Sequence, residues 1–183
     1  MTSSPLTKPN AIHTIGHSNR DFDDVVEMLR ANSITDLVDI RSLPGSRKYP
    51  QWDQDRIIEA LPSDISYHWI PELGGRRSTP AALDSPNTGW AVKAFQAYAD
   101  HMDTPEFARG LAALIEIARE RRPAIMCSEA VPWRCHRRLV TDALLVAGID
   151  VLDIMSATST RPATLTRHAR LEGERLTYPP EVG

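Results

Sequence analysis

The sequence predicts a three-layer α/β domain of Rossmann-like type, a mostly parallel sheet of about five strands flanked by helices. Three observations predict it. Short apolar runs alternate with longer stretches whose apolar residues recur at helical spacing. The runs are centred on isoleucine, leucine and valine, as in strands covered on both faces. Loops rich in glycine, proline and serine punctuate the series. Residues 1–10 read as a flexible lead-in, 11–155 as a single domain and 156–183 as a peripheral C-terminal tail.

Within the domain, "AIHTIGHSN" gives a first strand ending at Gly16, His17 and Ser18. "DFDDVVEMLRANSI" follows with Phe22, Val25, Val26 and Leu29 on one helical face. Ser18 and Asp21 have the spacing of a capping box, which predicts the helix start there. "TDLVDIR" is a buried strand ending at Arg41, and "SLPGSRKYPQW" is a loop. "DQDRIIEAL" predicts a short helix, and "ISYHWIPEL" a third strand closed by Gly74, Gly75, Arg76 and Arg77. "STPAALDSPNTG" is a loop. Helix follows from Trp90 to Arg122 with a break near Pro105, because proline disfavours helix in the residue before it. "PAIMCSE" is a fourth strand. "PWRCHRRLVTDALLVAG" predicts a helix with Pro132 in its first turn and Gly148 just past its end. "IDVLDIM" is the fifth strand.

Composition narrows the function. The chain has 183 residues, 42% of them hydrophobic and 25% charged, as in an ordinary globular protein. A net charge of −3 argues against general coating of nucleic acid, though local basic patches remain open. The N-terminus lacks an apolar signal core and no run approaches a membrane span, so a cytoplasmic protein with two reduced thiols is expected. Lys8, Lys48 and Lys93 are the only lysines. Arginine otherwise carries the positive charge, through base composition of the gene or for bidentate anion binding.

Parallel sheets bind ligands beyond the carboxyl ends of their strands. Those ends are Gly16–Ser18, Asp39–Arg41, Glu72–Arg77 and Cys127–Glu129, which places them on one edge. "TIGHSN", "DIRSLPGSR", "ELGGRR", "MCSE" and "CHRR", in this order over roughly residues 11–155, resemble the family DUF 488, a domain of unknown function. The resemblance implies a compact α/β domain of bacteria and archaea and no particular activity. It marks His17, Ser18, Arg41, Gly74, Gly75, Arg76, Cys127, Glu129, Cys135, His136 and Arg137.

Their chemistry is argued from residue type. Cys127 ends a strand before a helix N-terminus, with Arg134 and Arg137 near, surroundings that favour a thiolate. It is the candidate nucleophile, with Glu129 and His136 as proton carriers. The alternative is a small buried residue. The loop is not a phosphatase cradle: Trp133 stands six positions after Cys127, where that signature needs arginine. His17, Ser18, Arg41, Gly74, Gly75, Arg76, Cys135 and Arg137 are candidate substrate-binding residues, with helix-start amides for an anion. His17 and Ser18 can equally satisfy backbone groups and cap a helix. Arg41, if buried, requires a partner such as Asp39 or Glu129, or a bound anion. Two cysteines eight positions apart do not form a zinc pattern, so no cofactor is expected and zinc remains a minor alternative.

The expected function is a hydrolase or group transferase with a Cys/His/Arg pocket for a small anionic substrate, nucleotide- or phosphoester-like. The alternative is a non-catalytic nucleic-acid or nucleotide-binding module in which an exposed Trp52, Trp69 or Trp133 stacks on bases.

Overall fold

A computed structural model describes residues 8–77 and 82–182. Most of the expected lead-in, residues 1–7, and residues 78–81 of the expected loop lie outside the described residues. The main sheet contains β1 (Ile12–Gly16), β2 (Asp36–Asp39), β3 (Ser66–Trp69), β4 (Pro123–Cys127), β5 (Val151–Ser156) and β6 (Ser159–Pro162). Their order across the sheet is β3–β2–β4–β1–β5–β6. The first five are parallel, and β6 runs antiparallel to β5 at the edge. Strands β1, β2 and β4 are buried at every position, although β1 carries His13 and Thr14 and β2 carries Asp36 and Asp39 among their apolar residues.

Helices cover both faces. On one side α1 (Phe22–Ala31) and α2 (Gln54–Ala60) pack Val25, Met28, Leu29 and Ile57 against Ile15, Leu37, Ala124 and Met126. On the other lie α3 (Lys93–His101), α4 (Pro105–Glu120) and α5 (Arg137–Val146). They pack Tyr98, Phe107, Leu114 and Leu139 against Ile12, Val38 and Ile125. Alternation along β4 therefore puts Cys127, the neighbour of Met126, on the α3–α5 side. The break between α3 and α4 falls where Pro105 requires it, and the Thr104 hydroxyl caps α4 by accepting from the Phe107 N–H at 3.2 Å.

Three local expectations are corrected. Ser18 does not cap α1: Asp21 is the N-cap and makes no side-chain cap bond, while Ser18 takes a left-handed turn at φ 49°. The helix expected from Pro132 starts at Arg137, after a 3₁₀ turn at Pro132–Arg134 and an extended Cys135. The segment after 156 is not merely peripheral. It supplies β6 and a hairpin, β7 (Arg170–Glu172) with β8 (Arg175–Thr177), and it buries Ala169 and Tyr178 in the core. The Tyr178 hydroxyl donates to the buried Asp142 carboxylate of α5 at 2.8 Å. Among the described residues no helix is long and apolar enough to cross a membrane.

Candidate functional site

The carboxyl ends of β1, β2 and β4 open into a cleft of about 560 Å³. The chain past β1 and the chain past β4 stay paired beyond the sheet: His17 N–H donates to the Cys127 carbonyl at 3.0 Å, and Ser18 N–H to that of Ser128 at 2.9 Å. This close passage depends on Gly16, where a Cβ would run into the Glu129 carbonyl.

His17, Ser18, Arg41, Gly75, Arg76, Cys127, Glu129, Cys135 and His136 all line the cleft, so four distant stretches of sequence meet there. Gly74 sits behind the wall, pressed against Ser42, where a side chain would clash. Arg137 does not face the cleft. It lies under the 128–134 loop, 1% exposed, with Nε and Nη1 unpartnered among the described residues. Burial lowers its pKa to about 10. Arg134 takes its expected place in the wall. Ser42, Lys48, Tyr49 and Phe95 also line the cleft, and nothing in their motifs marked them.

Arg41 is neutralised from within. Its Nε and Nη2 bind the two oxygens of Asp39 at 2.9 and 2.7 Å, and Tyr67 donates to the same carboxylate at 2.8 Å. Its Nη1 faces Nε2 of His17 at 3.3 Å. A guanidinium only donates, so Nε2 accepts and Nδ1–H donates to the Ser18 carbonyl at 2.9 Å. Burial, aided by the Arg41 charge, lowers the His17 pKa to about 4. The ring stacks on Trp52 at 4.7 Å. Trp52 is therefore a buried support and not the exposed stacking platform expected. The charge left for a ligand comes from Lys48, Arg76 and Arg134, which have no ion-pair partner among the described residues, set against Glu129 at the rim.

Cys127 and Cys135 meet sulfur to sulfur, paired across eight residues with 7.6 Å between Cα atoms. The two thiols thus lie together at the cleft. Cys135 is the better equipped of the two. Its sulfur accepts from the Arg137 N–H at 3.4 Å, at the positive end of the ten-residue α5. It also lies 3.5 Å from Nδ1 of His136. Nε2 of His136 faces the Ile40 carbonyl at 3.1 Å and must carry the proton, which leaves Nδ1 as an acceptor. Burial, then the charges of Arg137 and Arg77, lowers the His136 pKa to about 4. Gly75 packs against this ring so closely that a Cβ would collide with it. No group of three or more His, Cys, Asp or Glu residues among those described is arranged to hold a metal ion.

Fold and cleft define an α/β protein with a basic, thiol- and imidazole-bearing site at the carboxyl edge of its sheet. The family model described as domain of unknown function DUF488 matches residues 21–144, and the chain belongs to that family. His17 and Ser18 lie before the matched stretch, and the other candidate residues lie inside it. No curated protein and no solved structure matches the chain.

Proposed function

We propose that the chain is a thiol enzyme, a hydrolase or group transferase acting on a small anionic substrate of the nucleotide or phosphoester class. One observation carries this reading: the Cys135 sulfur sits between a helix N-terminus and the acceptor nitrogen of a neutral histidine. That arrangement supports Cys135 as nucleophile over Cys127, whose sulfur has no such neighbours beyond Cys135 itself among the described residues. In the reduced protein the Cys135 S–H proton passes to His136 Nδ1. The sulfur then bonds to the substrate's electrophilic centre, and the leaving oxygen departs with the bonding pair and takes the proton from His136. Lys48, Arg76 and Arg134 hold the anion, and Glu129 orients the water or acceptor that releases the bound group.

The test is a panel of phosphoesters, nucleotides and activated acyl and sulfur donors, assayed with dithiothreitol. Turnover that needs reductant and is lost in Cys135→Ser and His136→Ala supports the reading. Turnover that survives Cys135→Ser in a folded protein removes the thiol mechanism.

A further inference from the structure

A second groove, of about 450 Å³, lies on the far side of the turn that carries Arg134. The turn separates the two: Arg134 and Cys135 face the cleft, whereas Pro132 and Trp133 face the groove. Its walls are Trp133, 47% exposed, with Pro162, Ala163 and Leu165. Arg138, Arg161 and Arg167 rim it, and Thr141 and Asp153 form its floor. Two features of this floor and wall call for a ligand. Thr141 is 4% exposed, yet its hydroxyl has no partner among the described residues. Arg161 stands directly across from Asp153 in the β5–β6 ladder, but no ion pair joins them, and one Asp153 oxygen accepts from the Thr14 hydroxyl at 2.6 Å. Its guanidinium lies instead over the Trp133 ring, 5.7 Å from the centroid.

We infer that this groove binds single-stranded nucleic acid, with one base stacked on Trp133 in the place its own guanidinium covers. A flat cation over an indole marks a surface that also accepts a base. The base edge then meets the Asp153 oxygen that Thr14 leaves free, an acceptor for amino and imino N–H groups, and the Thr141 hydroxyl, which both donates and accepts. Displaced from the ring, Arg161 meets the phosphates, where Arg167, ion-paired to Glu181 at 3.4 Å, exchanges that exposed partner for them. Arg138 is held by Thr166 at 2.9 Å and by the Trp90 ring, so it contributes a fixed positive charge. The overall charge of −3 confines such binding to this local cluster. The inference goes beyond the reading of the cleft, because it requires neither thiol.

Fluorescence anisotropy of a labelled single-stranded oligonucleotide of mixed sequence tests it, with unlabelled oligonucleotide and inorganic tripolyphosphate as competitors. Binding is expected at low salt and weakens as salt rises. Trp133→Ala should weaken it about tenfold, Arg161→Ala should reduce both affinity and salt dependence, and Cys135→Ser should leave it unchanged. Both groove side chains are exposed, so these variants keep the fold, as circular dichroism would verify. Absence of binding in low salt overturns the inference. So does binding that Trp133→Ala leaves intact and tripolyphosphate displaces as readily as the oligonucleotide, since that behaviour belongs to an unspecific anion patch.

Discussion

Nδ1 of His136 points its lone pair at the Cys135 sulfur from 3.5 Å, while Nε2 of the same ring is tied to the Ile40 carbonyl. The imidazole is thus fixed at one nitrogen and available at the other. In reduced protein at pH 7, Cys135 should react with iodoacetamide faster than a free thiol and faster than Cys127. Replacement of His136 by alanine should slow that reaction by about tenfold or more, since general bases contribute on that scale or above it. Peptide mass mapping of the alkylated protein reads both sites. Equal labelling of the two cysteines would contradict the assignment.

Gly75→Ala should produce the same chemical defect by another route. The new methyl group must displace the His136 ring. Cys135 alkylation should fall toward the rate of the His136→Ala variant while the far-ultraviolet circular dichroism stays that of the parent.

Acid should unfold the protein through the same ring. An unfolded imidazole takes its proton near pH 6.5, the folded His136 only near 4. The unfolded state therefore binds more protons as pH falls between these values, and stability present above pH 6.5 is lost on the way to 4. For His136 the loss is on the order of 3 kcal/mol. His17 and His13, lowered in the same direction by burial, add to it. Urea titrations at pH 7 and pH 4.5 measure the slope, which should become shallower in His136→Gln.

The Asp39–Arg41 pair should matter more for stability than for substrate binding. Both groups are buried and bidentate, so Asp39→Ala strands a guanidinium in the interior. Breaking such a pair costs about 3–5 kcal/mol. Chemical denaturation of Asp39→Ala checks it. A loss below about 1 kcal/mol would mean the arginine reaches solvent when its partner is removed.

Tyr178→Phe tests the C-terminal segment. It leaves one oxygen of the buried Asp142 without the Tyr178 donor at 2.8 Å. A stability loss of about 1–3 kcal/mol is expected, the cost of a buried polar group left unpaired.

The order of strands and helices was legible because the elements carry their own signals, as the apolar run of β4 and the helical spacing of Val25, Met28 and Leu29 in α1 show. The meeting of His17, Arg41, Gly75 and Cys127 was legible too, since strand ends of a parallel sheet share an edge. What failed was phase. The 3₁₀ turn at Pro132–Arg134 delays α5, and Arg137 lies buried away from the cleft. Residue spacing alone does not reveal such a shift. The edge strand of the main sheet was hidden for a different reason: β6 is exposed at every position, so "STRP" bears no apolar signature, and Tyr178 is an isolated aromatic without a repeat around it.

Strand order has a practical corollary for anyone trimming this chain. β1 lies between β4 and β5, at the middle of the sheet, yet it precedes the family-matched span, and β5 follows it. A fragment cut to residues 21–144 would keep α1–α4 and most of α5 but leave β4 with one flank bare and take His17 and Ser18 out of the cleft. Such a truncate should aggregate through its open seam, so the unit to clone is wider than the stretch that kinship delimits.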